Sequence, residues 1–133
     1  MSCFWDSLCN ALNHTHFANL RKNHNISSLS PLKMVNFLKS NNKKTINVYW
    51  QNKQLTEKQY QENIDAIKEY NSNNIPNGYM CSTCDPFLLL FAELLQISIE
   101  HNYMNNIIIY KYINSEKTIK LKSNNSHIDF IGI

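Results

Sequence analysis

The stretch Asp85-Pro86-Phe87-Leu88-Leu89-Leu90-Phe91-Ala92-Glu93-Leu94-Leu95-Gln96-Ile97-Ser98-Ile99 decides how this chain is read. Asp-Pro is a strong helix start, because proline is tolerated in the first turn, where its missing N–H has no intrahelical partner to lose. Phe87 to Leu95 is then apolar nearly all round, which is the pattern of a helix enclosed by other elements. Immediately afterwards Ile97 and Ile99 alternate with polar neighbours, the period of a strand. A buried helix running straight into a strand makes this segment the centre of the fold.

Working outward from it, the downstream sequence repeats the strand period. Ile107 to Tyr112, then Ile119 and Leu121, then Ile128 and Phe130 are separated by turns rich in Asn and Ser. This predicts an antiparallel meander packed on the long helix. Upstream, Asn71 to Tyr79 reads as a polar loop with Pro76, Asn77 and Gly78 as turn formers. Thr56 and Gln59 fit a capping box, with Tyr60, Ile64 and Ile67 forming one apolar stripe down to Tyr70. Ile46, Val48 and Trp50 alternate within a predicted strand from Thr45 to Trp50. Ser30-Pro31 is an N-cap with proline in the first turn, followed by Leu32, Val35 and Leu38. Phe4, Leu8, Ala11 and Leu12 recur at spacings of three and four, so Cys3 to Asn13 reads as a helix with Cys3 in its first turn. The class is α+β, with N-terminal helices and a central helix packed on an antiparallel sheet. At 133 residues, without an internal repeat or a linker, residues 1–133 form one domain.

Composition narrows the function. Thirteen basic against ten acidic side chains give a net charge of +3, with Arg21 the sole arginine and the lysines scattered, which argues against nucleic-acid binding. The longest apolar run, Phe87 to Ala92, is far short of the roughly 18 residues a membrane span needs. No basic region followed by a long apolar core opens the chain, so a cytoplasmic monomer with reduced thiols is expected. The abundance of Asn, Ile, Lys and Tyr suits an AT-rich genome and carries no chemistry.

The chemistry-bearing residues sit at the two ends. A thiol is a nucleophile only as thiolate, and Cys3 stands where a helix dipole favours an anion. In the last strand alternation places His127 and Asp129 on one face and Ile128 and Phe130 on the other, so the carboxylate is positioned to orient the imidazole. A fold that joins the termini would assemble thiol, imidazole and carboxylate. A competing constellation is Cys81-Ser82-Thr83-Cys84, a knuckle that holds half a zinc site, with Cys9, His14, His16, His24 or His101 to complete it. Without a second closely spaced pair, Cys81 and Cys84 are read as loop or helix-entry residues and no metal is assigned. No Gly-rich phosphate loop is present, and no cofactor is expected. Trp5 and Trp50 receive no functional role.

The pattern Cys-aromatic-x-x-x-Leu on an N-terminal helix, the late helix running into strands from Asp85 to Ile99 and Ile107 to Tyr112, and the terminal His-x-Asp-aromatic resembles the ovarian tumour (OTU) type of deubiquitinating cysteine protease, a branch of the papain-like fold whose compact versions look most like viral members. The resemblance spans nearly the whole chain. It implies Cys3 as nucleophile, His127 as general base and then acid, and Asp129 as the group that fixes the imidazole. The implied partner is ubiquitin or a ubiquitin-like modifier, cleaved after its C-terminal glycine, in the host cytoplasm if the chain is viral. Two departures accompany it: the family's Asp-Gly-Asn before the cysteine is replaced by Met1-Ser2, and Ile128 follows the histidine where the family has an aromatic. Loss of an oxyanion donor lowers the rate about a hundredfold to a thousandfold, so either another segment donates, or activity is weak, or the alternative holds: a catalytically silent protease-like domain that binds ubiquitin or a host protein. A small zinc-binding adaptor built on Cys81 and Cys84 is the third expectation.

Overall fold

The computed structural model describes residues 3–14, 17–24, 30–77, 81–115, 117–124 and 127–133. In chain order they form α1 (Cys3–Asn13), α2 (Ala18–Asn23), α3 (Pro31–Ser40), β1 (Val48–Trp50), β2 (Lys53–Gln54), α4 (Glu57–Glu69), a 3-10 turn (Ser72–Asn77), α5 (Cys81–Leu95), β3 (Ser98–Tyr103), β4 (Asn106–Tyr112), β5 (Thr118–Ser123) and β6 (Ile128–Gly132). The class is α+β: five α-helices and one six-stranded sheet among the described residues. None of these helices is long and apolar enough to cross a membrane.

Local signals account for most boundaries. Ser30 caps α3 by accepting from the Lys33 N–H at 3.3 Å, with Pro31 opening the helix. Thr56 and Gln59 form the reciprocal box at α4: Thr56 Oγ1 accepts the Gln59 N–H, and Gln59 Oε1 accepts the Thr56 N–H at 2.8 Å. Gln51-Asn52 and Met104-Asn105 both take positive φ at two successive residues, the mirror-image turn that matches strand twist, and they close the β1–β2 and β3–β4 hairpins.

Three expectations are corrected. The central helix begins at Cys81, a turn before Asp85-Pro86, so Pro86 lies inside it and removes one backbone bond. Asp85 does not act as the cap, because its carboxylate accepts the hydroxyl of Tyr110 on β4 at 3.0 Å. The strand expected from Thr45 starts only at Val48, since the backbone N–H and side-chain amide of Asn47 both donate to the buried Glu93 carboxylate, each at 2.8 Å. The sheet is mixed and not an antiparallel meander: its order is β2-β1-β4-β3-β5-β6, with β3 and β5 parallel. Here β4 is itself the return path, so β5 lands on the far side of β3 without a crossover helix.

The helices cover one face of this sheet. Val48, Ile99, Tyr110, Ile119, Leu121 and Ile128 point into that layer and are fully buried. Trp5 joins three helical segments there: its indole N–H donates to the Tyr70 hydroxyl at 2.9 Å, and its ring meets Phe87 edge-on at 4.8 Å between centroids. The opposite face carries Lys111, Lys120, Lys122, Asp129, Ile107 and Ile131, and all six are exposed.

Candidate functional site

The first and last elements are neighbours, as the reading of the termini requires. α1 packs on β6, where the Ser7 hydroxyl lies 2.8 Å from the Ile128 carbonyl and the His14 ring meets Phe130 at 6.4 Å between centroids. Ser7 and His14 therefore run along β6 in the direction of the strand. Cys3 lies one turn before Ser7, roughly 6 Å back along the axis, towards the start of β6.

The imidazole and carboxylate are brought together. His127 Nε2 lies 2.9 Å from Asp129 Oδ1, and the His127 N–H donates to Asn124 Oδ1 at 3.0 Å, which fixes the residue at the mouth of β6. The pair is open to water, with side chains 41% and 64% exposed. It lines a cleft of about 500 Å³ together with Lys122, Asn124, Asn105 and Ile131.

Cys3 is not among the residues that line that cleft. Cys3 is 6% exposed and belongs to the same buried cluster as Ile128. Because side chains alternate along a strand, Ile128 pointing into the helix layer sends Asp129 to the other face. Cys3 is thus buried in the helix layer, while the His127–Asp129 pair is open to water. In this arrangement the pair can exchange a proton or anchor a polar partner group.

The competing ligand set is dispersed. Cys81 to Cys84 form the first turn of α5, where Cys84 is buried, and the side chain of Cys81 lies outside the description. Cys9 is buried in α1, and desolvation, followed by the nearby Asp6 carboxylate, pushes its thiol up to about 11. His14 faces Phe130, His24 faces Phe37, and His101 is buried on β3, bonded through Nε2 to Ser123 Oγ. Burial lowers His101 to about 4, because the imidazolium would lose its hydration there. His16, and the Met1-Ser2 and Gly78-Tyr79 segments, lie outside the described residues. Among the described residues no group of three or more His, Cys, Asp or Glu side chains is placed to hold a metal.

Sequence reasoning missed the rest of the cleft wall. Lys120 and Lys122 alternating with Ile119 and Leu121 was the available sign that this face meets solvent, but nothing local says that Lys122 lies opposite Asp129. It also left Trp50 unassigned. Trp50 is 38% exposed and lines a second, smaller cleft at the other edge of the sheet. Comparison with protein-family models, with curated proteins and with solved structures found no match for this chain.

Proposed function

We propose that this chain is a protein-binding domain, related in layout to the OTU-like proteases but without a working triad, which engages ubiquitin or a ubiquitin-like protein through the open face of its sheet. The observation that carries this reading is that Cys3 is buried in the core, whereas His127 and Asp129 form a pair open to water. An acyl-transfer enzyme needs the nucleophile within hydrogen-bond reach of its base, whereas a binding surface has no such demand. The open face offers what a contact patch uses, with exposed Ile107 and Ile131 among charged Lys120, Lys122 and Asp129.

A second reading keeps the cysteine peptidase. What favours it is that α1 runs along β6 with Cys3 in its first turn, which sets the thiol and the imidazole at the same end of the strand.

One experiment separates the two. The protein and its Cys3→Ala variant are incubated with ubiquitin bearing an electrophilic C-terminus, and unmodified ubiquitin is titrated into isotopically labelled protein. The expected result is no adduct, with resonance shifts concentrated at Lys122, Asp129 and Ile131. An adduct that depends on Cys3 overturns the binding-domain reading in favour of the peptidase. Absence of both adduct and shifts removes ubiquitin as the partner.

A further inference from the structure

The cleft at Trp50 is built by three elements. On α4, Gln59, Glu62 and Asn63 lie at spacings of three and four and so share one face; on α5, Asp85 and Leu89 do the same. Trp50, at the end of β1, supplies an aromatic wall, and the buried Leu55 and Leu89 give an apolar floor. The volume is about 180 Å³, well below the several hundred expected for a small-molecule site and suited to one inserted side chain.

The lining is chemically one-sided. It holds two carboxylates and no lysine or arginine, in a chain of net charge +3. The fully buried Tyr110 donates its hydroxyl to Asp85 Oδ1, so that carboxylate is held in place before any ligand arrives. Glu62 stands at the rim, with Lys58 Nζ 3.9 Å from its Oε1. Both side chains are mostly exposed, and an i,i+4 contact of that kind competes only weakly with an incoming cation.

We propose that this cleft receives one arginine side chain of a partner polypeptide. The guanidinium plane lies against the Trp50 ring, its N–H fork meets Asp85, and Glu62 attracts it at the mouth. Arginine fits better than lysine because its plane stacks on an aromatic face, its fork matches a carboxylate, and it sheds water more readily than an ammonium. This site lies at the opposite edge of the sheet from β6, and its occupation does not depend on what binds the open face.

The test uses the two indole N–H resonances of the labelled protein. Trp5 is buried and bonded to Tyr70, so it serves as an internal control, while Trp50 reports on the cleft. Acetylated pentapeptides with a central Arg, Lys or citrulline among glycines are titrated to millimolar concentration. The Arg peptide is expected to shift Trp50 and leave Trp5 unmoved, with citrulline, which keeps the shape and loses the charge, binding about tenfold more weakly. The Asp85→Asn variant, which still accepts the Tyr110 hydroxyl, and the exposed Glu62→Gln are each expected to weaken the Arg peptide several-fold. An immobile Trp50 resonance, equal binding of Arg and citrulline, or undiminished binding by Asp85→Asn overturns the site. Equal binding of Lys and Arg overturns the arginine assignment.

Discussion

Acidification is expected to destabilise this protein through one identifiable side chain. His101 is fully buried on β3, with Leu121 beside it on β5 and Ile108 opposite on β4. Desolvation takes its imidazole from an ordinary value of 6.5 to about 4, so the fold holds it neutral where the unfolded chain would protonate it. The stabilisation from the neutral ring is therefore complete above about pH 6.5 and is lost as the pH falls towards 4. Integrating the proton uptake between those two values gives a loss of about 2 kcal/mol from pH 8 to pH 5, and about 3 kcal/mol by pH 4. That is a large share of the roughly 5–15 kcal/mol by which a domain is stable. Urea unfolding followed by tryptophan fluorescence at pH 8, 6 and 5 measures it, with His101→Leu as the reference. The variant carries its own constant penalty for stranding the Ser123 hydroxyl, but its stability should fall less with acid by about 2 kcal/mol at pH 5. Parallel pH curves for the two proteins would refute the reasoning.

Other consequences are more local. Glu93→Ala should lower stability by about 3 kcal/mol in denaturant titration, because both Asn47 donors lose their acceptor in a partly buried setting, and Glu93→Gln, which keeps one acceptor, should cost about 1 kcal/mol. Thr56→Ala removes the α4 capping box and should cost about 1 kcal/mol; a neutral result would mean that packing alone sets that helix end. Cys9, with its thiol near 11, should resist alkylation at pH 8 in the native protein and react promptly in denaturant, as peptide mapping of the modified residue would show. Asp129→Ala should change stability by less than about 0.5 kcal/mol, since the carboxylate is exposed and its partner His127 is reached by water.

Much of the fold was legible in the residue order because its causes are local. The helix at Cys3–Asn13, the caps at Ser30 and Thr56, and the strands around Ile99, Tyr110, Leu121 and Ile128 follow from periodicity and capping chemistry that act within a few residues. The errors fall where a distant partner intervenes. Asp85 left its capping role for the Tyr110 hydroxyl, and Asn47 left the strand for Glu93.

The candidate site divides along the same line. The pairing of His127 with Asp129 was readable because alternation along a strand is a property of the backbone itself. The packing of α1 on β6 agrees with the expectation that the termini meet. Which face of β6 turns towards α1 is a different kind of question, settled by which side chains bury more apolar surface, and Ile128 and Phe130 outcompete His127 and Asp129 for the helix layer. Strand order is likewise silent in the sequence, since an alternating apolar pattern specifies a buried face and not a neighbour. The amino-acid sequence alone thus determined most of the helices and strands and the His-x-Asp pair, but not α2 or β2. Only the tertiary structure decided that β5 lies parallel to β3, that Cys3 is buried while His127 and Asp129 meet water, and that Trp50 and Asp85 share a cleft, because those outcomes depend on long-range burial that no local pattern encodes.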